Sequence, residues 1–195
     1  WRMDASQDVS MVADINPGGE GSHPRVFFEY HDELHFVARD ADGTRLWKAD
    51  ETGVTVVADL TPYSAISQFT EFNGELYFTA RDDTYGNELW KVDRSGKVLL
   101  VADIHTGDGS SYPSDLTVFN GHLYFGADPH YVPSQTTILY PPRDDLWRVS
   151  ESGDVELVAD LTHTSSLTVF NGELYFSGDD WESGGWELRK VDESG

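Results

Sequence analysis

Four copies of one sequence unit run through this chain, and they constrain its fold more than any other feature. The string Val-Ala-Asp followed by Ile or Leu occurs at 12–15, 57–60, 101–104 and 158–161. A Phe-Asn-Gly turn followed by an apolar run occurs at 72–78, 119–125 and 170–176, with Tyr30-His31-Asp32 as a degenerate fourth copy. Trp1, Trp47, Trp90 and Trp147 each open a short segment that ends in a polar turn. The spacing from Trp90 to Trp147 is lengthened by an insertion between Ala127 and Asp145.

Each unit reads as four strands. In the third copy, Leu116–Phe119 and Leu123–Ala127 flank Asn-Gly, the two-residue turn that most strongly signals a hairpin. Leu146–Val149 and Val155–Leu161 form a second hairpin around Glu151-Ser152-Gly153. The strands alternate and are rich in Val, Leu, Tyr, Phe and Trp, and no segment carries a 3.6-residue apolar period. Four-stranded units repeating every roughly 43 residues are the sequence form of propeller blades. The expected fold is therefore all-β, a single four-bladed β-propeller over residues 1–195, with units starting near 1, 47, 90 and 147. The chain starts at the third strand of a unit and ends with the first two, Ser166–Phe170 and Glu173–Gly178. N-terminal strands are thus expected to complete the C-terminal blade and close the ring. Residues 187–195 are left as a spare fifth-copy strand or tail, with Arg189 where Trp stands elsewhere.

The units resemble the ELWxxDGT-type repeats of bacterial exported proteins. The resemblance rests on Glu88-Leu89-Trp90-Lys91-Val92-Asp93 and on the loop Asn16-Pro17-Gly18-Gly19-Glu20-Gly21-Ser22-His23-Pro24, and it covers nearly the whole chain. It departs at Asp50-Glu51-Thr52-Gly53, which lacks Gly-Thr after the Asp, and at Leu188-Arg189-Lys190. The resemblance implies a secreted or cell-surface β-repeat protein and supplies no catalytic residues.

Charge narrows the partners. Thirteen Lys and Arg against thirty-five Asp and Glu give a net charge of −22, which repels nucleic acid and anionic membrane surfaces. The longest uncharged stretch, 129–142, is polar and proline-rich, unlike a membrane span of about 20 apolar residues. Without cysteine there are no disulfides, thiolate metal sites or thiol nucleophiles.

The repeated Asp14, Asp59, Asp103 and Asp160 stand at strand ends, where Asp organises turns. His31 and His35 have a two-histidine spacing, but a turn followed by a strand sets them about 13 Å apart at 3.3 Å per residue. Acidic turns at Asp40 and Asp42, Asp82 and Asp83, and Asp179 and Asp180 are the candidate oxygen ligands for Ca²⁺. No phosphate-binding loop, nucleophile elbow or helical zinc motif is present. The long connections emerge on the face opposite the hairpin turns and carry Tyr63, Tyr85, Tyr112, His130, Tyr131, Tyr140 and Trp181. Aromatic rings among acids and amides suit a carbohydrate or cationic ligand, and the partner expected on this face is a glycan or a protein. The leading expectation is a non-enzymatic recognition or adhesion module that binds through this face. The runner-up is a structural building block of a larger surface assembly, and the third reading is a hydrolase at the propeller mouth.

Overall fold

The computed structural model describes the whole chain except residues 4, 19, 131–143, 181–183 and 192–195. It is all-β, with no helix among the described residues. The chain divides into two compact units, one of residues 1–63 with 92–98 and the other of 64–91 with 99–195.

The first unit opens with a hairpin of β1 (Arg2–Met3) and β2 (Val9–Ser10), which pair only with each other among the described residues. The first sheet follows as an antiparallel meander of β3 (Arg25–Tyr30), β4 (Glu33–Asp40), β5 (Gly43–Asp50) and β6 (Gly53–Asp59). Its core gathers Phe36, Ala38 and Trp47, with Ile15, Ala49 and Val54 packed against them.

The second sheet has the same order in β7 (Ser64–Phe72), β8 (Glu75–Asp82), β9 (Gly86–Val92) and β10 (Val98–Ala102). The third comprises β11 (Ser114–Phe119), β12 (His122–Ala127), β13 (Asp145–Ser150) and β14 (Val155–Ala159). The fourth has three strands, β15 (His163–Phe170), β16 (Glu173–Asp179) and β17 (Glu187–Val191). The order within each sheet is the one the repeat predicts.

Within the second unit successive sheets pack face to face. Phe72 and Leu89 of the second sheet join Leu123, Phe125 and Val149 of the third in one apolar cluster. Phe119 and Leu146 of the third sheet join Leu167, Leu174 and Phe176 of the fourth in another. First strands are also tied by hydroxyls: Thr70 Oγ1 donates to Leu116 O at 3.5 Å and Thr117 Oγ1 to Leu167 O at 3.4 Å.

Ring closure by the N-terminal strands is not what the sheet pairing gives. The free edge of β16 is taken by β17, in the register Phe176 to Arg189 and Tyr175 to Lys190. Among the described residues no ladder closes the sheets into a ring. The spare segment is thus a true third strand, and its side chains explain why. Lys190 bridges Glu173 at 2.5 Å, as Lys91 bridges Glu75 at 2.8 Å and Lys48 bridges Glu33 at 2.9 Å. Arg189 Nε donates to Gly178 O at 3.2 Å, the bond that Trp90 Nε1 makes to Ala80 O at 3.0 Å and Trp47 Nε1 to Ala38 O at 3.3 Å. Arginine therefore replaces tryptophan with the donor kept. A strand a few residues away in sequence also closes a much smaller loop than one from the other end of the chain.

Two backbone devices recur in every sheet. Each Asn-Gly turn has positive φ at both residues, as a type I′ turn requires, and His31 (φ 53) and Asp32 (φ 59) adopt it without glycine. Replacing Asp32 by glycine is expected to raise stability by about 1 kcal/mol, the cost of a left-handed non-glycine residue. A higher urea midpoint with an unchanged m-value checks this. The second device is a bulge in each first strand, where the register shifts around Val26, Gln68, Asp115 and Ser166, each at positive φ.

Candidate functional site

In the second and third sheets the loop that leads to the next sheet is held by the residue that precedes Leu-Trp in the third strand. In the second sheet this is Glu88, which is fully buried. Its carboxylate accepts Ser111 Oγ at 2.5 Å, Ser111 N at 2.9 Å, Ile104 N at 3.2 Å and His105 N at 3.4 Å. Burial pushes its carboxyl up to about 7, against the pull of these donors. Asp145 is the counterpart in the third sheet and accepts Leu161 N at 2.9 Å. In the first sheet Arg45 takes this position and pairs with Asp42 at 2.7 Å and Asp40 at 3.3 Å.

The expected tyrosines divide. Tyr63 and Tyr85 are half-buried loop closers: Tyr63 N donates to Leu60 O at 3.0 Å, and the Tyr85 ring meets Trp90 edge-on with centroids 6.1 Å apart. Tyr112 is displayed, at positive φ (48) on the loop that Glu88 pins. His130 is exposed, with its N–H on Asp128 Oδ1 at 2.7 Å. Tyr131, Tyr140 and Trp181 lie outside the described residues.

The acidic turns are engaged by protein donors. Asp40 Oδ1 accepts Asp42 N at 2.9 Å and Gly43 N at 3.1 Å. Asp82 Oδ1 accepts Tyr85 N at 2.7 Å and Thr84 N at 3.0 Å, and Asp83 is exposed beside it. Asp179 Oδ1 accepts Gly185 N at 3.2 Å, and Asp180 pairs with Arg189 at 2.6 Å. Among the described residues no group of three acidic or histidine side chains is arranged to hold a metal ion. Asp59 organises its turn as expected, accepting Thr61 N at 2.9 Å.

The 13 Å separation expected of His31 and His35 does not occur. Both rings pack on Tyr30, with centroids 4.1 and 5.4 Å away, because His31 sits in the turn that folds back rather than along the strand. His35 is buried, and burial lowers its pKa, so it is an aromatic core member.

One constellation escaped the sequence reading. At the loop end of the third and fourth sheets, the half-exposed Trp186 ring stands edge-on to His163, centroids 4.3 Å apart. His163 Nδ1 faces Thr162 O at 3.2 Å, and its Nε2 lies 3.9 Å from Asp144 Oδ2. Burial raises the Asp144 pKa; His163 opposes the shift, and the neighbouring carboxylates of Asp128, Asp145 and Asp115 add to it. An indole platform beside an imidazole and several carboxylates offers stacking and hydroxyl-binding groups in one place. Alignment of the third strands would have found Trp186, which occupies the position of Asn87 and Asp144.

No family model matches the chain. A phosphoserine aminotransferase of Lysinibacillus sphaericus (strain C3-41) is 31% identical over 110 residues, which is 56% of this chain and 30% of that protein. The chain thus spans well under half of the relative it matches, and the similarity assigns no activity to it.

Proposed function

We propose that this chain is a non-enzymatic recognition module of an exported, bacterial-type repeat protein, and that it binds glycan through its long-loop face. The observation that carries the reading is the Trp186–His163–Asp144 arrangement. Sugar rings present C–H faces that stack on indole and hydroxyls that pair with carboxylates. The 103–111 loop is anchored by Glu88, so little ordering entropy opposes binding by that part of the face. The sheets act in this reading as propeller-type blades, supported by the face-to-face packing of the second, third and fourth. The ELWxxDGT-type resemblance supports export.

The test is a glycan array probed with wild type and Trp186→Ala, each in CaCl₂ and in EDTA. Wild type should bind at least one glycan class. Trp186→Ala should weaken it at least about tenfold, roughly 1.4 kcal/mol, with its melting temperature unchanged. Loss of signal in EDTA would show that binding depends on Ca²⁺. Equal binding by both proteins would remove this site from the interaction.

A further inference from the structure

The repeat makes its own control for burial. Leu46, Leu89 and Leu146 occupy one position of the third strand and are at most 1% exposed, whereas Leu188 at the same position is 78% exposed. Phe72 and Phe119 end the first strands of the second and third sheets and are buried, whereas Phe170 is 62% exposed. The fourth sheet therefore shows on one face the residues with which its predecessors cover the next sheet. The first sheet shows the converse face. Leu76, Leu123 and Leu174 are buried at the start of the second strand, but Leu34 is 46% exposed. Phe27 stands where Leu167 is buried and is 58% exposed, stacked on Phe36 at 5.6 Å.

These two exposed faces are the halves of a junction the chain already builds twice. Phe72 and Leu89 meet Leu123 in one instance, and Phe119 and Leu146 meet Leu174 and Leu167 in the next. Phe170 and Leu188 offer the first half of that contact, and Leu34 and Phe27 the second.

We propose that copies of this chain associate head to tail, the Phe170–Leu188 face of one packing on the Phe27–Leu34 face of the next. The occupant is a second copy because the same repeat writes both faces, so their shape and apolar pattern match as the internal junctions do. The two faces differ, so the contact is heterologous and propagates. Exposed apolar clusters of this kind mark interaction surfaces. The net charge of −22 opposes association, so screening by salt strengthens it.

Sedimentation velocity from low to high micromolar concentration tests this, using wild type, Leu34→Asp and Leu188→Asp. Both leucines are exposed, so both variants should melt as wild type does. Wild type should form a concentration-dependent series beyond the dimer, more strongly at higher NaCl. Each variant alone should be at least about tenfold weaker in self-association, and monomeric over the same range. An equimolar mixture of the variants should form a heterodimer and stop there, because only one competent junction remains. Wild type that stays monomeric at every concentration overturns the proposal. So does association of either variant alone as strongly as wild type, or a mixture that forms no heterodimer.

Discussion

Replacing Glu88 by alanine should lower stability by about 3–5 kcal/mol, because it leaves several buried donors unpaired at about 1–3 kcal/mol each. Those donors are Ile104 N, His105 N, Ser111 N and Ser111 Oγ, all of which converge on this carboxylate. Amide exchange across 103–111 should accelerate well before global unfolding, since the loop loses its anchor. Glu88→Gln keeps the shape but turns an N–H₂ toward other donors, so it should fall between wild type and alanine. The two variants also separate on pH. With the carboxyl at about 7 in the fold and near 4.5 when unfolded, the folded state holds the proton more tightly. Stability from this group is therefore greatest below pH 4.5 and falls as pH rises through 7, by on the order of 3 kcal/mol. Urea titrations from pH 5 to 8 should show this downward slope in wild type, and a flatter one in Glu88→Gln. An identical slope in both would place the titration elsewhere.

Gly86→Ala should be as damaging, at about 3 kcal/mol or more, through backbone collision rather than lost hydrogen bonds. A Cβ at Gly86 would lie 1.5 Å from Gly109 O, and its φ of 67 already disfavours any side chain. Only movement of the 103–111 backbone relieves that contact, and this movement would pull Ser111 from Glu88. The corresponding glycine of the fourth sheet is the control. A Cβ at Gly185 meets nothing within 4 Å, so Gly185→Ala should change the urea midpoint little. Equal losses from the two substitutions would mean that glycine matters at this position for some reason common to both sheets.

Both variants act on a loop that the sequence announced only in part. Strand number, strand order and the hairpin turns were legible because Asn-Gly dictates a backbone shape and the Val-Ala-Asp and Trp strands recur almost unchanged. The bulges were not, since Val26, Gln68, Asp115 and Ser166 share a conformation and no side-chain chemistry. The segment 187–191 is legible as a copy of the Trp strand, but its place in the last sheet is not, because that rests on a donor and not on residue identity. Arg189 looks nothing like tryptophan, yet its Nε reaches the same carbonyl. Among the candidate site residues, Tyr112 and His130 are exposed, while Tyr85 packs against Trp90. Asp144, His163 and Trp186 are far apart in sequence, and only the pairing of β16 with β17 and the entry into β13 and β15 brings them to one end.

The position before Leu-Trp has one further consequence, for folding fidelity. Tandem copies this similar can exchange partners during folding, one loop settling on the wrong sheet. Here the same backbone slot holds a guanidinium at Arg45, a long carboxylate at Glu88 and a short one at Asp145. The loop of 103–111 placed over Arg45 would aim its N–H groups at a cation. The slot thus marks the first sheet as the wrong seat for the 103–111 loop, a distinction that near-identical Trp strands would not otherwise make.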